Sequence, residues 1–182
     1  MCEGGGLVTP EIDELYEEAL GYLEAWNLDQ AEECLRKLIE LDPEHARGHN
    51  KLGVVFARRD DLRQAEECFS QAVALDPNLA TAHSNLGNIY AERNWMDRAK
   101  AAYERALALD PGNPTATHNL GVLYRKSGEI GRGIDLMKQA NRSERHRFRD
   151  ETRRNPESRR IMRIGWAVVI AIGLALFYLF NR

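Results

Sequence analysis

Apolar side chains recur every three to four residues through most of this chain, which is the period of an α-helix. Leu52 and Phe56 lie on one such stripe, and Ala65 and Phe69 lie on a second. A polar break at residues 60–61 separates the two stripes. This pattern predicts two short amphipathic helices joined by a turn.

The predicted helix pair recurs along the chain at a constant interval. Its plainest mark is the string Leu-Asp-Pro, which occurs at residues 41–43, 75–77 and 109–111. Proline ends the second helix of each pair because it disfavours the helical conformation in the residue before it. Helices of about a dozen residues are marginal alone, so each pair must stack on its neighbours. A Leu-Gly pair recurs in register with the prolines, at residues 52–53, 86–87 and 120–121.

These repeated residues resemble the tetratricopeptide repeat, whose period is about 34 residues. The stretch from about residue 11 to residue 141 is identified as a member of that family. The resemblance implies an all-α fold, in which four helix-turn-helix repeats stack into a short right-handed superhelix with a concave face. A basic linker and one C-terminal transmembrane helix are expected to follow. The predicted segments are a flexible N-terminus at 1–10 and repeats at about 12–45, 46–79, 80–113 and 114–141.

The two outer repeats depart from the family pattern. Glu18 stands where leucine is usual, and Ala19 stands where glycine is usual. In the fourth repeat Gly133 replaces alanine and Met137 replaces the aromatic residue. Terminal repeats face water on one side, so atypical ends are expected of caps.

The resemblance places ligand-binding positions on the first helix of each repeat, which lines the concave groove. Asn85 and Asn119 occupy equivalent positions, and an asparagine amide offers both a donor and an acceptor. Stacked one repeat apart, they are expected to grip the backbone of an extended peptide, as in the asparagine ladder of some long tetratricopeptide arrays. The alternative is that they are solvated groove residues or hydrogen-bond within the repeat. The candidate groove residues are Arg47, Asn50, Lys51, Val54, Arg58, Ser84, Asn85, Asn88, His118, Asn119, Val122 and Arg125.

Arg47, Lys51 and Arg58 make the inner face of the second repeat basic. Residues 1–141 carry 15 basic and 24 acidic side chains, so this basic face belongs to a domain with a net charge of −9. A basic groove in an acidic domain favours an acidic stretch of a protein partner. The carboxylate clamp of chaperone-binding relatives needs lysines and an arginine at set groove positions, and other residues stand at most of those positions here.

The last part of the chain has a different composition. The whole chain has 25 basic and 28 acidic residues, but the run at 164–180 carries no charge. A helix of that length spans roughly 25 Å, which is short but sufficient to cross the hydrocarbon core of a membrane. A buried helix of a soluble domain would normally show a polar stripe, so we predict a transmembrane helix.

The distribution of positive charge predicts the orientation of this helix. Residues 142–163 carry nine arginines and four acidic residues, whereas only Arg182 follows the span, in a tail at 181–182. The positive-inside rule then places the repeat domain in the cytoplasm, as in tail-anchored proteins. We favour a bacterial plasma membrane, with the mitochondrial outer membrane as the alternative. The predicted membrane-flanking residues are Arg153, Arg154, Arg159, Arg160, Arg163, Trp166 and Tyr178.

Residues 142–163 are predicted to form an Arg-rich cap helix and a juxtamembrane linker, with a break at Pro156. Each basic residue near anionic lipid contributes about 1 kcal/mol, which favours contact with the membrane surface. Nucleic-acid binding is the rival interpretation. The interspersed acids and the lack of aromatic platforms for bases make it the weaker one.

No catalytic motif is recognisable, so an enzyme is not predicted, and no cofactor is expected. His45 and His49 are four residues apart, and His83 is equivalent to His49, but no further ligand is placed to complete a metal site. Cys34 and Cys68 are interpreted as free thiols. The sequence predicts a membrane-anchored adaptor that binds an extended segment of a partner protein. The alternatives are a structural subunit of a membrane complex and a tail-anchored organelle protein like the mitochondrial fission adaptors.

Overall fold

The computed structural model describes residues 10–154. Over this range the chain is all-helical, as the sequence predicted, and each predicted repeat contains a pair of helices. The helices are α1 (Pro10–Glu24), α2 (Leu28–Leu41), α3 (Ala46–Arg58), α4 (Leu62–Leu75), α5 (Ala80–Glu92), α6 (Met96–Leu109), α7 (Pro114–Lys126) and α8 (Ile130–Arg154).

Several sequence predictions fall outside the described residues. These are the flexible N-terminus up to residue 9, the linker after residue 154, and the transmembrane span at 164–180 with its tail. Among the helices of residues 10–154, none is long and apolar enough to cross a membrane. Because α8 continues to Arg154, the first part of the predicted cap helix is helical.

The helices stack in chain order. Each of the first six packs against the next one along the chain, and the first helices of the second and fourth repeats, α3 and α7, both contact α5. The first helices of repeats two to four therefore lie side by side in a superhelical stack. The first compact unit ends at Met137, and the described residues from Lys138 to Arg154 belong to a second unit.

Glycines allow the second helix of a repeat to pack closely on the first. Phe69 and Tyr103 are buried aromatic residues of α4 and α6, and they face Gly53 and Gly87. A Cβ atom at Gly87 would lie 2.5 Å from Cε1 of Tyr103. This is far inside ordinary van der Waals contact, so any side chain at this position would push the two helices apart.

The turns inside the repeats share one backbone conformation. Positive φ angles occur at the equivalent position of all four repeats, at Trp26 (58°), Asp60 (64°), Asn94 (61°) and Gly128 (88°). Glycine, asparagine and aspartate adopt this left-handed conformation most readily, whereas a bulky residue adopts it rarely. Trp26 is the exception, and its ring contacts the guanidinium of Arg58, which lies 4.5 Å from the ring centroid.

Ion pairs join successive repeats. Arg93, which follows α5, binds Glu66 of α4 and donates to the backbone carbonyl of Leu62 at 3.3 Å. One repeat earlier, Arg59 binds Glu32 at the equivalent positions. The guanidinium of each arginine is therefore fixed between the repeats.

Candidate peptide-binding groove

The predicted groove residues lie on α3, α5 and α7. Asn50 and Ser84 differ from the expectation of open groove side chains, because they are only 5% and 4% exposed. For Asn50 the reason is its place at the contact between α3 and α5. The other candidates are exposed or half-buried: Arg47, Lys51, Val54, Arg58, Asn85, Asn88, His118, Asn119, Val122 and Arg125.

One pair of asparagines joins the second repeat to the third. Nδ2 of Asn85 donates to Oδ1 of Asn50 at 3.0 Å, and Nδ2 of Asn50 contacts Oγ1 of Thr81 at 3.5 Å. The buried amide of Asn50 thus supports the half-buried amide of Asn85. Asn85 keeps one N–H group and its carbonyl oxygen for another partner, because an amide has two donor hydrogens and two acceptor sites.

A second pair joins the third repeat to the fourth. Nδ2 of Asn119 donates to Oδ1 of Asn88 at 2.8 Å, and the hydroxyl of Tyr103 donates to the same oxygen at 2.7 Å. Tyr103 belongs to the second helix of its repeat and is only 1% exposed. Burial raises the pKa of its hydroxyl to about 12, so the hydroxyl remains a donor at neutral pH.

The guanidinium groups of two basic candidates, Arg58 and Arg125, contact other residues of the chain. Nη1 of Arg58 donates to the carbonyl of Leu23 at 2.5 Å, in addition to the contact of its guanidinium with Trp26. Nη1 of Arg125 lies 3.7 Å from Sδ of Met137. Both side chains are exposed, but their guanidinium groups are used to hold neighbouring elements together.

Arg125 also explains an irregular residue of the fourth repeat. A Cβ atom at Gly133 would lie 2.6 Å from Cγ of Arg125 and 2.6 Å from the carbonyl oxygen of Gly121. Alanine, the usual residue at this position, would not fit. Gly133 therefore lets α8 approach α7 more closely than a side chain would permit.

Arg47 and Lys51 retain their positive charge for a partner. Within residues 10–154 neither forms an ion pair, whereas Arg59 and Arg93, the arginines between repeats, are bound to carboxylates. Arg47 is exposed and Lys51 is half-buried on α3. Both are cations of α3, and no carboxylate of the described residues lies within ion-pair distance of either.

The histidines have structural contacts. Nε2 of His49 lies 2.9 Å from the carbonyl of Pro43, and Nε2 of His83 lies 3.1 Å from the carbonyl of Pro77, so the contact repeats with the chain. Nδ1 of His45 accepts at 2.8 Å from the backbone N–H of Gly48 and so caps the start of α3. In the described part of the chain, no three potential metal ligands converge.

The cysteines of the described range, Cys34 and Cys68, are free thiols. Cys34 is buried, and burial raises the pKa of the Cys68 thiol to about 11. A thiol with a raised pKa is a poor nucleophile at neutral pH. Neither residue therefore marks a reactive site.

Models of the tetratricopeptide repeat family match two stretches of the chain. One, described as "Tetratricopeptide repeat", matches residues 16–78, and another, described as "TPR repeat", matches residues 87–128. These residues are tetratricopeptide repeats. Such repeats are non-catalytic scaffolds for protein interactions, and they account for the helix pairs and their regular recurrence in this chain.

Solved structures of tetratricopeptide repeats share this fold. The crystal structure of MamA is 25% identical, with a TM-score of 0.65 over 76% of this chain and 81% of that one. For pilF of Pseudomonas aeruginosa the identity is 28% and the TM-score 0.68, over 74% of this chain and 62% of that one. No curated protein matches the chain in sequence.

One similar structure contains a bound peptide. It is the first TPR of Spaghetti (RPAP3) bound to the HSP90 peptide SRMEEVD, with 26% identity and a TM-score of 0.61. The match covers 65% of this chain and 94% of that one. A tetratricopeptide repeat domain with a similar fold therefore binds a peptide in that structure.

Proposed function

We propose that this protein is a membrane-anchored adaptor that binds an extended segment of a partner protein in its groove. The observation that carries the proposal is the pair of amide contacts, Asn85 with Asn50 and Asn119 with Asn88, which hold two groove amides at successive repeat boundaries. Each held amide has hydrogen-bonding groups left for a peptide backbone. Contacts to the backbone tolerate many partner sequences.

The partner segment is acidic where it passes the second repeat. Arg47 and Lys51 have no carboxylate partner within the described residues, and a carboxylate of a bound segment would provide one. The peptide bound by the Spaghetti repeats, SRMEEVD, contains three acidic residues. That likeness supports acidic ligands, although the clamp residues of chaperone-binding relatives are mostly replaced here.

Peptide selection tests the groove. The full chain in mild detergent selects short peptides from a displayed random library, and fluorescence anisotropy measures the Kd of the selected peptides. Replacing Lys51, Asn85 and Asn119 together by alanine is expected to raise Kd at least tenfold, because three ligand contacts are lost. Asn78→Ala, at an exposed asparagine that is not among the candidate groove residues, is the matched control. Equal binding by the triple variant and the control would refute the groove as the site.

The membrane anchor is the second part of the proposal. Its support is the uncharged run at 164–180, preceded by the nine arginines of residues 142–163. Anchoring raises the effective concentration of the groove near partners at the same membrane without any new contact. We propose a bacterial plasma membrane with the repeats on the cytoplasmic side, and an anionic lipid surface in contact with the arginines.

Cell fractionation tests the anchor. The full chain is expected to remain with the membranes after an alkaline carbonate wash, whereas a chain that ends at residue 163 is expected in the soluble fraction. A truncated chain that retains peptide binding serves as its own folding control. Release of the full chain by carbonate would contradict a transmembrane anchor.

A further inference from the structure

The third repeat differs from the other repeats at one pair of positions. One position lies on the first helix, at the groove, and the other lies on the second helix behind it. In the other repeats both residues are apolar, and only in the third are both polar. From the first repeat to the fourth, the pairs are Leu20 with Leu35, Val54 with Phe69, Asn88 with Tyr103, and Val122 with Met137.

The two polar residues form a hydrogen-bonded unit with the fourth repeat. Oδ1 of Asn88 accepts from the hydroxyl of Tyr103 at 2.7 Å and from Nδ2 of Asn119 at 2.8 Å. A carbonyl oxygen has two acceptor sites, so both are filled. This orientation satisfies both donors, whereas a flip would bring the NH2 groups of Asn88 and Asn119 together.

The NH2 group of Asn88 is the part left for a ligand. It has no protein acceptor within residues 10–154. No fully buried side-chain nitrogen or oxygen of the described residues lacks a partner, so this nitrogen is at least partly accessible. Asn88 is half-buried on α5, so its NH2 group is available to a segment bound along this helix.

The surroundings of Asn88 favour a neutral acceptor. The negative charge of Glu92, one turn further along α5, acts on Tyr103 and contributes to its raised pKa. The same charge would repel a ligand carboxylate at Asn88. A main-chain carbonyl carries no net charge and is present at every residue of an extended segment.

We propose that Tyr103 is a positioning residue of the groove, whose buried hydroxyl orients Asn88 so that its NH2 group donates to a main-chain carbonyl of the bound segment. This inference rests on the proposed peptide-binding function and adds the register of the segment to it. A backbone carbonyl of the bound segment would lie at the boundary between repeats three and four. Asn119, held by the same oxygen of Asn88, retains its carbonyl to accept a neighbouring backbone N–H.

Tyr103→Phe in the full chain tests the role of the hydroxyl. The variant is expected to fold, because Phe69 occupies the equivalent position against Gly53. Tyr124→Phe is the matched control, since the hydroxyl of this buried tyrosine donates to Oε1 of Glu104 at 3.0 Å, away from the asparagines. With a library-selected peptide, Tyr103→Phe is expected to raise Kd about three- to tenfold, and Tyr124→Phe is expected to leave it unchanged.

Two further measurements separate positioning from a merely structural role. The first replaces single backbone amides of the peptide by esters, whose carbonyls are weaker acceptors. One ester position is expected to weaken binding to the wild type and to the Tyr124→Phe variant, and to have no effect on Tyr103→Phe. The second needs no peptide: the side-chain amide NMR signals of Asn88 are expected to move in Tyr103→Phe and to stay in place in Tyr124→Phe.

The outcomes distinguish this inference from the proposed function. If selected peptides bind in the groove but Tyr103→Phe binds them as well as wild type, the inference is overturned while the function stands. Unmoved Asn88 signals overturn it as well. A third outcome concerns the acceptor. If no ester changes Kd differently in wild type and Tyr103→Phe, but exchange of a peptide Glu for Gln does, the acceptor is a carboxylate. The assignment of a main-chain carbonyl is then overturned. If the wild type selects no peptide, the proposed function and this inference fall together.

Discussion

Replacing Gly87 by alanine is expected to destabilise the repeat domain. The new Cβ atom would lie 2.5, 2.6 and 2.9 Å from Cε1, Cδ1 and Cζ of Tyr103. Ordinary carbon contacts are about 3.5 to 4.0 Å, so the ring would have to move by about 1 Å. The ring is 1% exposed and its hydroxyl is hydrogen-bonded to Asn88, so such a shift also disturbs the groove.

The net cost combines two opposing effects. Overpacking a core costs about 1 to 3 kcal/mol, and exchanging glycine for alanine in a helix offsets about 0.5 to 1 kcal/mol of that cost. We therefore expect Gly87→Ala to lower the free energy of unfolding by up to about 2.5 kcal/mol, and in any case to leave the protein less stable than Gly21→Ala does. Gly21→Ala is the matched control, because a Cβ at Gly21 in α1 meets nothing within 4 Å. It is expected to stabilise the protein by about 0.5 to 1 kcal/mol.

Urea unfolding of the full chain, followed by far-ultraviolet circular dichroism at constant detergent concentration, measures both variants. The slope with urea must stay the same for the midpoints to be compared. If Gly87→Ala is stabilised as much as Gly21→Ala, the ring has moved without cost. In that case the close approach of the aromatic ring is not what requires glycine at this position.

Two other predictions concern the junctions between helices. Burial would raise the pKa of Glu32, but hydrogen bonds from Arg36 and Arg59 outweigh it and hold the pKa below its ordinary value. The stability gained from the lowered pKa is present above the ordinary carboxyl pKa of about 4.3, and it is lost as the pH falls through the pKa of Glu32 in the folded protein. The urea midpoints of wild type and Glu32→Gln should therefore converge toward about pH 3. Asn94, at φ 61°, should tolerate glycine, whereas Asn94→Ala should cost about 1 kcal/mol in the same assay. Equal stability of the alanine and glycine variants would contradict a left-handed turn.

The architecture was predictable because its cause is periodic. The constant spacing of Leu-Asp-Pro and Leu-Gly appears in the sequence, and α2, α4 and α6 each end at the leucine of a Leu-Asp-Pro string. The arginine–glutamate pairs between repeats were missed, although Arg59 and Arg93 occupy equivalent positions of successive repeats. A recurring charge is a weaker signal than a recurring apolar residue, because most surface charges have no partner in the fold.

The contact between the third and fourth repeats shows how such a pair can change without being lost. At the position of Glu32 and Glu66 the third repeat has Lys100, which lies 3.9 Å from Glu129 just before α8. In this pair the second helix of the repeat carries the positive charge and the later residue carries the negative charge, which is the reverse of the two earlier pairs. Recurrence along the repeat would not find this contact, because Ser127 stands at the position of Arg59 and Arg93 and Glu129 follows two residues later.

The individual roles of the groove residues were less predictable than their places. Asn50 and Asn88 both appeared as ligand-binding candidates, but Asn50 is buried under Asn85, whereas Asn88 is half-buried and held from behind by Tyr103. Their difference arises from tertiary contacts between helices that are separate in the chain. A single helix pattern contains no information on which of two polar neighbours faces solvent.

The two amide contacts also connect ligand binding to the stacking of the repeats. Asn85 reaches from the third repeat to the second, and Asn119 reaches from the fourth to the third. A segment bound to both amides would therefore cross the same boundaries that the amides already join. Repeat arrays depend on nearest-neighbour interfaces for their stability, so binding across two interfaces stabilises the stacked state over any state in which one boundary has opened. Under the proposed function, polar residues at these boundaries would serve two purposes, because the contacts that align the repeats would also align the donors and acceptors presented to a partner.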